Sequence, residues 1–197
     1  LTITPTMVAI HTFITDRVAN RISANAYAEL GGLAANAMMR KRDEDGLVVL
    51  DGATTSLGGA GTTLTSGLIA AAQSNIMGNT TEPAAGVIRC VLHPFQIKDL
   101  FDELVAGVGT DVVPVGPTAE VFKSGFRLPI AGVEVYPDGN ITIDSSSDAK
   151  GGVFAKEGIK LIQGHELKRE VRRRPDVGGG GNELFIYDEY AYGEISP

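Results

Sequence analysis

The run from Thr4 to Arg42 constrains this chain most, because it reads as one helix long enough to organise everything that follows. Thr4 is placed as an N-cap and Pro5 as the first helical residue, where its missing N–H costs nothing. Ile10, Ile14, Val18, Ile22, Ala26 and Leu30 recur at every fourth residue, with Arg17, Arg21, Asn25 and Glu29 on other faces. A four-residue repeat advances about 40° per step on a 3.6-residue helix, which predicts an oblique crossing with its packing partner. Gly31 and Gly32 each cost about 1 kcal/mol relative to Ala inside a helix and predict a bend or a close backbone approach. Arg40, Lys41 and Arg42 suit the negative end of the helix dipole. Unbroken, such a helix is about 57 Å long.

Asp43, Glu44, Asp45 and Gly46 are expected to break it, and Leu47 to Leu50 then reads as a short buried strand. Asp51 to Thr63, built from Gly, Thr, Ser and Ala, is a loop. Thr65 or Ser66 caps a helix through Leu68, Ile69, Ala72 and Ile76 to the stop at Gly78-Asn79. Val87 to Leu92 is an apolar strand, and His93-Pro94 opens a helix through Ile97, Leu100, Phe101 and Leu104. Ala106 to Phe126 lacks periodicity and reads as an extended loop or two short strands. Leu128 to Tyr136 is a strand ending in the turn Pro137-Asp138-Gly139-Asn140. Ile141 to Ile143 alternates briefly, a polar loop follows to Lys150, and Ala155 to Gln163 is strand-like.

The C-terminal part has a different texture. From His165 to Arg174 long charged side chains fall on both faces of an extended strand, so neither face is simply core. Pro175 to Gly181, with four consecutive glycines, reads as a flexible tip, and Glu183 to Tyr192 returns as an aromatic-rich strand. The pair makes a long hairpin or two-stranded arm.

Composition narrows the function classes. The chain has 197 residues, 43% of them hydrophobic and 21% charged, ordinary values for a chain that buries a core. A net charge of −7 argues against general binding to nucleic acid or to anionic membranes. No stretch reaches the roughly 18 apolar residues of a membrane span, and no signal-peptide pattern opens the chain. The single cysteine, Cys90, lies in an apolar run and reads as an inert buried thiol. Gly59-Ala60-Gly61 lacks the rest of a phosphate-binding fingerprint, and His165-Glu166 lacks the second histidine of a zinc-protease motif, whose place Arg169 takes. His11, His93 and His165 are not spaced as metal ligands. Asp138, Asn140, Thr142 and Asp144 alternate oxygens without the glycine and glutamate of a calcium loop. No catalytic, cofactor-binding or metal-ligating set emerges. Arg169, Arg172, Arg173 and Arg174, interleaved with Glu166, Glu170 and Asp176, favour a salt-bridged face or a protein interface over a phosphate-binding one.

The order of these motifs resembles a known family. The long helix, Arg42-Asp43-Glu44 leading into Leu47-Val48-Val49-Leu50-Asp51-Gly52, and the Gly/Thr loop before the Leu68 helix are similar to the spine and central domain of tailed-phage major capsid proteins. So are Val91-Leu92-His93-Pro94 opening a helix, Arg127 to Val133 as a strand entry, and Gly151-Gly152-Val153-Phe154-Ala155 before a charged hairpin. Order and spacing carry the likeness, which covers nearly the whole chain. It implies an α+β, HK97-like capsid fold with a spine helix, a peripheral β-hairpin and a central α/β axial domain. Residues 1–45 and 164–197 would form the peripheral domain and residues 46–163 the axial one.

The resemblance also implies a structural, non-enzymatic subunit that partners itself in hexamers and pentamers of an icosahedral shell around double-stranded DNA, without sequence-specific contacts. It admits scaffolding, portal or decoration proteins as further partners, no membrane and no cofactor. The place implied is the virion, assembled in the host cytoplasm. An encapsulin-like cargo compartment and a small-molecule-binding α/β protein or enzyme are the alternatives. Three further expectations follow. The chain opens without Met, almost directly into the expected helix, so Leu1 is expected not to be the native N-terminus. Gly107 to Phe126 should lie near the five-fold and quasi-six-fold axes. Arg169, Arg172, Arg173, Arg174, Gly178, Gly179, Gly180 and Gly181 are the candidate subunit-interface residues.

Overall fold

A computed structural model describes residues 2–21, 24–80, 84, 86–108 and 129–195. Its elements in order are β1 (Thr6–Thr15), α1 (Asp16–Ala19), α2 (Ala24–Asp51), α3 (Ser66–Met77), β2 (Ile88–Leu92), α4 (Pro94–Val108), β3 (Glu134–Pro137), β4 (Gly152–Ala155), β5 (Ile159–Arg174) and β6 (Gly181–Glu194). The chain divides into two compact units, one of residues 1–45 and 161–193, the other of residues 46–160 and 194–197.

The expected helix from Thr4 is the main correction. Thr6–Thr15 is a strand, and Thr4 and Pro5 precede it, so neither caps a helix. Six of the ten β1 residues are β-branched, which favours a pleated conformation over a helical one. The fourfold spacing that suggested a helix is equally satisfied by a strand, since Ile10 and Ile14 lie an even number of residues apart and share a face. Thr15 then caps the short α1, its Oγ1 accepting from the Val18 N–H at 3.4 Å.

Helix α2 begins only at Ala24 and runs through the expected break. Arg40 pairs with Glu44 at 2.8 Å and Lys41 with Asp45 at 2.5 Å, both four residues apart, so charges read as a terminator hold two adjacent turns together. Leu47 to Leu50 is therefore helical and not a strand. A Cβ added at Gly31 or Gly32 would meet no atom within 4 Å, so these glycines mark no close backbone approach.

In the unit of residues 1–45 and 161–193, β6 lies between β1 and β5. The expected two-stranded arm is thus a three-stranded sheet. β1 runs antiparallel to β6 with Ile10 opposite Ile186 and Val8 opposite Asp188. Ile186 is buried with Ala34 and Met38 of α2, and Val8, Ile10 and Leu184 pack around them.

In the other unit, β2 is central, parallel to β3 and antiparallel to β4. Its alternate residues Ile88, Cys90 and Leu92 are buried against Ile69 of α3, Ile97 and Leu100 of α4, and Val133 and Val135. Helix α3 starts after Thr65 and stops at Gly78, as read from the sequence. His93 opens α4: its Nδ1 accepts from the Phe95 N–H at 3.2 Å, while its own N–H donates to Gln96 Oε1 at 3.0 Å, a reciprocal cap. The segment expected as an extended loop is helical up to Val108, and its remainder, from 109 on, lies outside the described residues.

Candidate subunit interface

The candidate arginines lie on β5, which is exposed along almost its whole length. They do not act as one group. Arg173 donates to both carboxylate oxygens of Asp16, at 2.6 and 2.5 Å, a two-pronged geometry that fixes direction as well as distance. Arg174 donates to Asp176 at 2.9 and 2.8 Å and to Glu183 at 3.2 Å. Both residues are thus engaged within their own chain. Arg169 and Arg172 are exposed and, among the described residues, hold no ion pair.

These pairs change the reading of the hairpin tip. Residues 175–180 form a turn closed by the Gly180 N–H on Val177 O at 3.0 Å and tied to α1 by the Asp16 N–H on Gly180 O at 2.9 Å. Gly178, Gly179 and Gly180 all have positive φ, at 60°, 82° and 99°, a path that residues with a Cβ rarely take. At Gly181 a Cβ would stand 2.6 Å from Ile14 O. The glycines serve a defined, braced turn and not a slack one. Hydrogen bonding from Arg173 holds the Asp16 carboxyl below its ordinary range, and Arg174 lowers Asp176 to about 2.

On the sheet face away from α2, Glu183 is buried and holds Arg174, with His11 Nε2 3.6 Å from the same oxygen. The His11 ring stacks on Phe185 at 4.6 Å, and the Lys168 ammonium lies 5.7 Å from the Tyr187 ring centre. On the α2 side, Asp188 is buried, 3.7 Å from Arg42 Nη1, and the Tyr190 hydroxyl donates to Asp45 at 2.8 Å. Burial, reinforced by that bond, raises the Tyr190 pKa. Sequence reasoning does not single out Asp16, Glu183 or Asp188. The alternation of β1 followed by Thr15-Asp16, a cap with an acid at the first helical position, is the signal that locates Asp16.

The other unit contains a cavity of about 650 Å³ lined by Leu57, Leu68, Ala72, Ile76, Val153 and Phe154, among others, with Cys90 also on its wall. Burial pushes the Cys90 thiol up to about 12, so it stays protonated.

No protein-family model and no curated protein sequence matches the chain. Solved structures do. A structure from Mycobacterium phage Che8 is 16% identical with a TM-score of 0.68, covering 98% of this chain and 68% of that one. The capsid structure of cyanophage P-SCSP1u is 15% identical with a TM-score of 0.66, covering 100% of this chain and 70% of that one. The holo-SrpI encapsulin complex from Synechococcus elongatus is 11% identical with a TM-score of 0.69, covering 98% and 70%. Two compact units, each built from helix and sheet and superposing over nearly the whole chain on phage capsids and an encapsulin, give this chain the HK97-like capsid fold.

Proposed function

We propose that the chain is a structural subunit that self-assembles into an icosahedral phage shell around double-stranded DNA, without an enzymatic step of its own. The observation that carries this reading is the likeness to phage capsids and an encapsulin over 98–100% of the chain. A second support is the exposure of β5: a strand of sixteen residues charged on both sides suits a surface covered by neighbouring copies. In this reading residues 1–45 and 164–197 are the peripheral domain and residues 46–163 the axial domain, with Gly107 to Phe126 near the five-fold and quasi-six-fold axes. Scaffolding, portal or decoration proteins are further partners, and the mature location is the virion, after assembly in the host cytoplasm.

Electron microscopy of purified material tests the reading: closed particles are expected, and a protein that stays monomeric at all concentrations overturns it. Nucleic acid inside the particles separates a phage shell from an encapsulin-like compartment. The cavity beside α3 favours a second reading, a binding protein for a small apolar molecule. A neutral apolar fluorophore that binds the free subunit one-to-one, in a protein that forms no particles, would select it.

A further inference from the structure

The cavity beside α3 arises from the pattern of that helix. Ile69, 2% exposed, enters the apolar core around β2. Leu68, Ala72 and Ile76, spaced by four residues, form a neighbouring stripe that lines the cavity and stays only partly buried. Strand β4, at the edge of its sheet, adds Val153 and Phe154 to the wall. The volume of about 650 Å³ falls within the roughly 300–1,000 Å³ of small-molecule sites.

Apolar walls tend to close on each other, because an empty gap forfeits dispersion contacts. Here a roof is held apart from them. Residues 51–63 are exposed throughout, and Leu57, 40% exposed, still lines the cavity. The roof keeps a shape of its own: the Thr62 N–H donates to Gly59 O at 3.0 Å, the Gly59 N–H donates to Thr62 Oγ1 at 3.2 Å, and Gly58 and Gly61 take positive φ, 80° and 74°. It is anchored to the loop before β4, where the Gly61 N–H donates to Asp148 Oδ2 at 2.8 Å and Lys150 pairs with Asp51 at 2.9 Å. Charge then selects what can enter. Among the described residues the charged side chains lining the cavity are Lys150, Glu157 and Glu194. Lys150 is spent on Asp51, whereas Glu157 and Glu194 hold no ion pair among the described residues.

We propose that this cavity binds a cationic amphiphile, an alkyl tail carrying an ammonium head. The tail lies along the Leu68, Ala72 and Ile76 stripe, and the head meets the carboxylates of Glu157 and Glu194. A fatty acid carries the wrong charge, since its carboxylate would face two acids and a lysine already paired. The inference rests on the small-molecule reading of this cavity and gives it a ligand class. It holds whether or not the chain forms particles, because the described lining residues all belong to the unit of residues 46–160 and 194–197.

The test titrates the purified chain at pH 7 with decylammonium, decanol and decanoate, each below its micelle concentration, and reads heat and stoichiometry by calorimetry. Decylammonium is expected to bind one-to-one and about tenfold tighter than decanoate, with decanol between them; the heads sit at an open rim, where ion pairs are weak. The double variant Glu157→Gln, Glu194→Gln should bring decylammonium to the level of decanol and leave decanol unchanged. Ala72→Phe, which fills the cavity, should abolish binding of all three, with circular dichroism reporting the fold. Should that variant misfold, Ala72→Leu carries the same comparison with less bulk and a partial loss. Absence of saturable binding overturns the proposal, as does decanoate binding as tightly as decylammonium. Decylammonium binding that survives the filled cavity overturns it too, since it would show adsorption to an acidic surface. Electron microscopy of the same sample keeps the two readings apart: particles without binding remove this inference alone, binding without particles removes the shell reading alone, and neither removes both.

Discussion

Around β2, eight buried side chains from α3, α4 and the adjoining strands close an apolar core in which Cys90 and Val133 are wholly inaccessible. Around β6, the packed cluster among the described residues has three buried members, Ala34, Met38 and Ile186, none of them wholly inaccessible, and the same side of the sheet carries buried Asp188 beside Arg42. Charge divides along the same line: the β6 unit has 10 Lys and Arg against 11 Asp and Glu, nearly balanced, whereas the β2 unit is strongly acidic. One unit is held by transfer of apolar surface out of water, the other by a thin apolar seam plus paired charges. The lesson is that the β6 unit leaves one strand of its sheet, β5, open to solvent along almost its whole length, while β2 alternates its residues into a core of its own unit.

The contrast can be sharpened by deletion. Leu100→Ala removes a side chain 1% exposed and should cost about 2–5 kcal/mol, towards the upper end because helix and sheet both line the cavity it leaves. Met38→Ala, in the thinner cluster and with a more adaptable side chain, should fall at the lower end. Urea denaturation measures both. Equal costs would erase the distinction between the two cores.

A smaller effect tests the charged seam. Asp188→Asn keeps the shape but leaves Arg42 without its carboxylate, and should cost about 1–3 kcal/mol. A neutral result would mean that the apolar seam alone holds α2 to the sheet. The smallest effect belongs to the tip. Arg174 depresses the Asp176 carboxyl from 3.8 to about 2, so their pairing stabilises the turn fully above about pH 4 and is lost as pH falls through about 2. Amide resonances of Gly178 to Gly180 should shift over that window while those of β2 stay still. A turn that loosens near neutral pH would break the account of how it is braced.

Much of the β2 unit was legible in order. Thr65 and Gly78 bound α3, His93-Pro94 opens α4, and Val87 to Leu92 contains β2, because each signal is local: a cap, a stop, an apolar alternation. The β6 unit was legible only in part. The β5–β6 hairpin and its arginines can be read from the chain, but Asp16 cannot be matched to Arg173, 157 residues away, while its segment is taken for helix.

The sequence by itself determined which residues are apolar, where the stop at Gly78 and the glycine turn at 178–181 fall, and which strand is charged on both sides. Tertiary structure decided the rest. Residues spaced by four satisfy a strand face as well as a helix face, and β1 became a strand because β6 offered ten residues of antiparallel pairing. Asp43 to Gly46 could have ended a helix; salt bridges to the previous turn and the Tyr190 hydroxyl on Asp45 carried α2 through. Four glycines in a row specify a chain that can bend any way. The contacts of Asp16 with Arg173 and Gly180, together with the Gly180 N–H on Val177 O and the Arg174–Asp176 pair, choose one path among them, since a backbone without Cβ has no local preference strong enough to choose for itself.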